Sequence, residues 1–254
     1  MSYPINYPTP QNANIQIFNA NLNTSTGKGN SYWVKPQGAS FVWFTLIGAG
    51  GGGAGSDGAS FGGGGGSAAV LNCMVPAFLI PDELFIVVPQ GGLGGPTGGN
   101  AGSAGGSTSI SYSNGTSYTL LNCRGGSGGL VGGPGTGGIV SASNYFSCMG
   151  FYQSVAGQDG GGASSVSASA TTFLSGGAQP GVGGVAANYG YTTGASKQQG
   201  FFQTQPMIVG LGGGTDTSTK AAIGGIGCGG GGSDIATSPA GGNGGNGLVV
   251  IITW

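Results

Sequence analysis

The chain has 254 residues, 63 of them glycine, with only five lysine or arginine and six aspartate or glutamate residues and no histidine. Ordinary proteins hold roughly 7% glycine and 25% charged residues, so a charged fraction of 4% sets this chain far from the usual enzyme. Glycine at about a quarter of positions excludes a collagen repeat, which needs every third; 38% apolar content at net charge −1 argues against intrinsic disorder, and five scattered cations exclude counterion-release binding to nucleic acid.

Residues 1–30 are rich in Asn, Pro, Thr and Ser and read as an N-terminal arm with one possible strand, where Ile15 and Ile17 alternate with polar neighbours. Met1 to Gln11 shows no basic region and no apolar stretch, so no secretory leader is expected. From residue 31 to 254 the chain reads as one glycine-rich β domain. Phe41–Ile47 is aromatic and β-branched until it stops at Gly48, the mark of a buried strand. Further strands are expected at Ala68–Cys73, Glu83–Val88, Ser107–Tyr112, Tyr118–Cys123 and Leu248–Trp254, and Asn114-Gly115 predicts a hairpin turn. No helix-period stripe exceeds about two turns. The fold class is all-β: an antiparallel β-sandwich base whose first and last long strands, Phe41–Ile47 and Leu248–Trp254, are neighbours.

Glycine falls in excursions between these strands, at 48–66, 91–106 and 125–247, the last divided into tracts 125–138, 157–162, 176–184, 210–214, 224–232 and 241–247. Two readings compete. Gly-rich chain behaves as flexible linker, but these tracts are laced with Leu93, Leu130, Val131, Val182, Leu211 and Ile226, and they carry threefold spacing, as in Gly241-Gly242-Asn243-Gly244-Gly245-Asn246-Gly247. An extended left-handed helix has three residues per turn and about 3.1 Å rise. Glycine on two of its three faces lets neighbours approach until backbone groups pair laterally. The second reading is therefore a crown of packed polyglycine-II-type helices, whose lateral bonds offset the high entropy cost of ordering glycine.

The search for chemistry is short. Without histidine, Ser-His-Asp and Cys-His arrangements are impossible and metal sites lose their commonest ligand. Cys73, Cys123, Cys148 and Cys228 form no CxxC pair and are expected to be buried free thiols. The adjacent carboxylates Asp82-Glu83 follow Pro81 and read as a solvated turn. GxGxxG matches, as at Gly48, Gly50 and Gly53, carry no information in so much glycine, and no helix follows to hold a phosphate. No run reaches the length of a membrane span. No catalytic residue, cofactor or metal is expected, nor is nucleic-acid binding or membrane insertion.

Aromatic residues cluster between the tracts, in Asn144–Tyr152, at Tyr189 and Tyr191, and at Phe201-Phe202. They read either as small cores packed under their own loops or as a recognition surface, since Tyr, Asn, Ser and Gly on stiffly mounted loops are the chemistry of binding. Glycine tracts alternating with aromatic-bearing loops resemble the receptor-binding adhesin at the tip of T-even-type phage long tail fibres. The opening Trp33-Val34-Lys35-Pro36 through Phe41–Ile47 into Gly48-Ala49-Gly50, and the closing Gly244-Gly245-Asn246-Gly247-Leu248-Val249-Val250-Ile251-Ile252, resemble a broader glycine-rich domain of viral structural proteins. The adhesin carries a separate attachment domain ahead of its glycine-rich region, whereas here the tracts lie between strands.

The resemblance implies a non-enzymatic virion protein, on a tail fibre or capsid surface, made without a signal peptide. Its crown's distal loops would bind a host cell-surface protein or glycan. The alternatives are a capsid or tail decoration subunit and an ice-binding glycine-rich protein. Other virion proteins would be met through the arm or the β base, and a homo-oligomer is possible. If the termini define the near end of the crown and tract 125–138 is one outward pass, the contact surface is expected at Phe61, Tyr145, Phe146, Phe151, Tyr152, Tyr189, Tyr191, Phe201 and Phe202; the alternative parity of passes folds one of the two long segments, 144–152 or 186–206, back toward the base.

Overall fold

The computed structural model describes residues 13–20, 28–142, 151–161, 221, 223–233 and 240–254. Among them are ten strands: β1 Asn14–Asn19, β2 Lys28–Val34, β3 Phe41–Ile47, β4 Val70–Pro76, β5 Glu83–Pro89, β6 Thr108–Ser113, β7 Ser117–Cys123, β8 Val140–Ala142, β9 Phe151–Val155 and β10 Leu248–Thr253. A single 3-10 turn, Ala77–Leu79, is the one helical element among the described residues. The strands make two antiparallel five-stranded sheets, ordered β1-β10-β3-β4-β9 and β2-β5-β6-β7-β8. As expected, β3 and β10 are neighbours, with Ile47 opposite Leu248 and Val42 opposite Thr253.

The two sheets face each other across one core. Val42, Phe44, Leu46, Leu71, Cys73, Val75, Val249 and Ile251 from the first sheet meet Trp33, Leu84, Ile86, Val88, Ile110 and Leu121 from the second. Each such side chain contributes roughly 1.5–3 kcal/mol on burial. Alternation explains the choice of face: even positions of β3 point inward, and odd positions lie on the outer face of the first sheet. That outer face is also apolar, with Ile47, Val70, Leu248, Val250 and Ile252 buried beside Trp43 and Trp254. Its polar members are hydrogen-bonded in a chain, Trp43 Nε1 donating to Thr45 Oγ1 (3.0 Å) and Thr45 Oγ1 to Asn72 Oδ1 (2.8 Å).

Strand ends at Ile47, Val70, Pro89, Thr108, Cys123, Val140, Val155 and Leu248 all adjoin glycine-rich chain, so one end of the sandwich carries every glycine excursion. The junction is tied across the sheets by Thr108 Oγ1 donating to the Ile47 carbonyl (2.6 Å) and Cys123 Sγ to that of Leu46 (3.5 Å). Beyond it the tracts are laterally hydrogen-bonded with a strict repeat. From segment 48–56, the N–H groups of Gly48, Gly51 and Ala54 donate to the carbonyls of Ala69, Gly66 and Gly63. Those of Ala49, Gly52 and Gly55 donate to Gly106, Ser103 and Asn100, and those of Gly50 and Gly53 to Gly245 and Gly242. Its carbonyls in turn accept from three further segments: Gly50 and Gly53 from Gly92 and Gly95, Ala49 and Gly52 from Gly126 and Gly129, Gly51 and Ala54 from Gly230 and Ser233. Every third residue returns to the same neighbour.

Such packing leaves no room for a side chain at most interior positions, and those present are small, such as Ala49 and Ala54. A Cβ on Gly52 would overlap the Leu93 carbonyl, and one on Gly53 that of Gly231. Segments 48–56, 62–69 and 227–233 are buried throughout. Outer segments expose one position in three: Arg124, Ser127 and Leu130 face solvent while Gly126 and Gly129 are buried, and Leu93 and Pro96 are exposed beside buried Gly92 and Gly95. Where the bundle ends, side chains replace the missing neighbour. Asn243 Oδ1 accepts from the Gly94 N–H (2.9 Å), Asn246 Oδ1 from Gly91 (3.0 Å) and Asp159 Oδ1 from Gly137 (2.8 Å).

Two features differ from the sequence expectation. The region 125–138 is two passes: it turns at Leu130–Gly133, where Gly132 has φ +75°, and returns to the sheets as β8. Strands β2, β8 and β9 were not expected, being polar or short. The one possible strand expected in the arm, around Ile15 and Ile17, is present as β1, paired along its length with β10.

Replacing Gly52 by Ala is expected to destabilise the fold by about 3 kcal/mol or more, because backbone must move to admit the methyl group. Gly133→Ala, whose new Cβ would meet only the Leu130 Cβ at 3.8 Å, should stay within about 0.5 kcal/mol. Denaturant unfolding of both variants checks the contrast. Asn243→Ala removes an acceptor from a partly buried amide and should cost about 1 kcal/mol; faster hydrogen exchange at Gly94 is the local readout.

Candidate functional site

Among the described residues, the end of the crown farthest from the sheets is built from three turns. Glycine tracts reverse there at 56–61, 96–100 and 130–133, and the reversals need left-handed backbone at Gly58, Gly98, Gly99 and Gly132. In the first turn Asp57 Oδ1 accepts the N–H groups of Ala59 (2.8 Å) and Ser60 (2.6 Å), and Ser56 Oγ accepts that of Gly58 (3.0 Å). This is an Asx turn, in which a short carboxylate replaces the backbone acceptor. The turns are joined to one another. The N–H groups of Gly98 and Gly99 donate to the Ser56 carbonyl (3.1 and 2.9 Å), and that of Gly132 donates to Phe61 (2.9 Å). Thr97 and Asn100 are exposed and linked through Asn100 Nδ2 (2.9 Å).

Asp57 is the one charged residue in these turns. The amides of Ser60 and Ala59 hold its carboxyl below the ordinary aspartate range. Among the described residues the far end is thus a hydrogen-bonded platform with one fixed negative charge and one half-buried aromatic ring, Phe61.

The expected contact residues separate. Phe61 lies on the platform. Phe151 and Tyr152 lie on β9 in the sandwich, because tract 125–138 doubles back and returns the chain to the sheets. Phe151 pairs with Met74 and stacks on Trp43 (centroids 5.4 Å apart, 18° between planes), while Tyr152 packs against the core. Tyr145, Phe146, Tyr189, Tyr191, Phe201 and Phe202 fall outside the described residues. The described residues flanking 162–220 are nonetheless informative. The Gly161 carbonyl accepts from Gly64, three residues beyond the first turn, and the Ala221 N–H donates to Ala240, next to the segment bonded to Gly95. Both flanks approach the far end.

The sequence puts Asp57 and Thr97 at the tips of the first two glycine excursions, but the expected contact set leaves them and Asn100 out, although Asp57-Gly58 and Gly98-Gly99 are dipeptides that mark turns. Burial pushes the Cys73 thiol up to about 12 and raises that of Cys123 further, so neither offers a thiolate at neutral pH. Among the described residues no group of three or more His, Cys, Asp or Glu comes together to hold a metal, and no helix is long and apolar enough to cross a membrane.

Because the folded turn favours the charged carboxylate, its contribution is present above the ordinary aspartate range and lost as pH falls through the lower folded value. The amide resonances of Ala59 and Ser60 should therefore titrate with a midpoint below that of free aspartate, and Asp57→Asn should abolish that titration.

Comparison with curated proteins finds no match. Comparison with protein families matches residues 24–254 to one described as a glycine-rich domain, which takes in both sheets from β2 onward and all the tracts. The chain belongs to this glycine-rich domain family.

Proposed function

We propose that the glycine tracts form a crown of packed polyglycine-II helices, and that the chain is a virion surface protein which binds a host cell-surface protein or glycan through the crown's far end. The three-residue repeat of both lateral bonding and exposure supports the helix assignment, since it is the period of an extended threefold helix. The observation that carries the functional reading is the convergence of three joined turns with the flanks of 162–220 at one end. A rigid scaffold that presents loops at one end is the arrangement recognition proteins use. On this reading Phe61, Tyr189, Tyr191, Phe201 and Phe202 contribute to contact, and Phe151 and Tyr152 belong to the base.

The opposite end favours a second reading. There Lys35 Nζ lies 2.7 Å from the exposed Asp82 carboxylate and caps the Ala77 and Ile80 carbonyls, beside Phe78, which is 82% exposed. An aromatic so exposed on a braced turn suits docking to another virion protein, as a decoration subunit would.

Purified labelled protein should bind whole host cells, and combined Phe61→Ala, Tyr189→Ala and Tyr191→Ala replacement should weaken that binding more than tenfold, since aromatic anchors contribute about 2 kcal/mol or more each. Melting temperature should stay near the parental value. Binding to virions alone, lost on Phe78→Ala, would support the decoration reading instead.

A further inference from the structure

The two edges of the first sheet are β1 and β9, and those of the second are β2 and β8. Natural sheets protect edges with charge, proline, brevity or cover. Strand β8 has three residues, and β2 begins at Lys28 and runs into the Lys35–Asp82 pair. Edge β9 has five residues, and its Phe151 ring already stacks on Trp43. Strand β1, Asn-Ile-Gln-Ile-Phe-Asn, has no charge, no proline and a full six-residue length, and none of the described strands pairs with its outer edge. It is paired with β10 over all six residues, so its other side offers a straight row of backbone donors and acceptors. Its outward side chains are apolar, with Ile15 51% and Ile17 58% exposed.

From this geometry we infer that β1 pairs antiparallel with β1 of a second copy of this chain, joining two first sheets into one continuous sheet around a two-fold axis at Gln16. The occupant is a second copy because the strand is self-complementary. In the first sheet Ile15 and Ile17 share the outer face with Ile252 and Val250, whereas Phe18 packs into the core. A dyad through Gln16 keeps faces matched, setting Ile15 opposite Ile17 of the partner subunit and repeating that pair on the other side of the axis. Four isoleucines then cover one another on one face, and cross-strand apolar pairs of this kind stabilise antiparallel sheets. Strand β1 carries no charge and the whole chain has net charge −1, so like-charge repulsion does not oppose the approach. A closed two-fold contact also satisfies both β1 edges at once, where head-to-tail pairing of β1 to β9 of the next copy would build a ring or an open filament. The inference is independent of what the far end of the crown binds.

Sedimentation velocity on the full chain tests it. The expected result is a reversible dimer that Ile17→Lys converts to monomer with unchanged circular dichroism, while Ile223→Lys, at an exposed crown position, leaves it dimeric. In a Cys148→Ser background, oxidised Gln16→Cys should give a disulfide-linked dimer, because residue 16 meets itself at the axis. Asn19→Cys should give none, because it lies beyond the end of the opposing strand. A monomer at every concentration, an open-ended polymer, or a dimer indifferent to Ile17→Lys would each overturn the proposal.

Discussion

Lateral N–H···O=C bonds between glycine segments are the constraint on which the rest of the molecule depends. Ordering glycine loses more conformational entropy than ordering any other residue, and a tract without side chains has no apolar surface to bury in return. Its backbone groups must all find partners once water is excluded. Segment 48–56 solves both problems by being enclosed: its donors are taken by three neighbours and its acceptors by three others. No tract of this kind stands alone, so the crown is cooperative by construction. The sandwich supplies what the crown lacks, an apolar core that fixes where each tract begins and therefore its register with the next.

The two halves obey opposite rules. In the sheets, side-chain volume is the stabilising quantity, and Phe44, Leu71 or Ile251 fill space that smaller residues would leave empty. In the crown, volume is the hazard, and any atom added at Gly50 or Gly53 meets a carbonyl. Inside, the side chains present are small, such as Ala49, Ala54, Ser67, Cys228 and Ser233; the exposed positions of the tracts are Leu, Ser, Thr, Pro, Ala or Asn far more often than Lys or Glu. The shortage of charge noted at the outset follows from this architecture: few positions in the crown are able to carry a long polar side chain at all.

What the sequence made legible follows the same division. Strand β3 was readable because Phe41–Ile47 is apolar on both faces and ends abruptly at glycine, and the β6–β7 hairpin because Asn114-Gly115 demands a tight turn. Pairing of β3 with β10 followed from their places on either side of the crown. Strand β9, Phe-Tyr-Gln-Ser-Val, was read as loop because its aromatic and polar residues lack clear alternation. The number of passes in 125–138 was hidden for a deeper reason. The turn at Leu130–Gly133, with Gly132 at φ +75°, is marked in the chain by a single break, adjacent Leu130-Val131 where the preceding pass carries one side chain in three. Phe61 was placed correctly at a tip, since its excursion has one glycine run on each side; Phe151 and Tyr152 inherited the error in counting passes.

The asparagines that terminate the bundle have a chemical consequence. Asn-Gly is the dipeptide most prone to spontaneous deamidation, which proceeds when the glycine nitrogen attacks the preceding carboxamide. In Asn243-Gly244 and Asn246-Gly247 those glycine nitrogens are engaged, donating to the carbonyls of Gly92 and Pro89, while the carboxamides are held by the amides of Gly94 and Gly91. Neither reactant is free to swing toward the other. Asn114-Gly115, in an exposed turn with Gly115 at φ +94°, has no such restraint on its glycine nitrogen among the described hydrogen bonds. The folded crown therefore protects its own most labile residues from ageing, and the chain's chemical clock runs first at the hairpin.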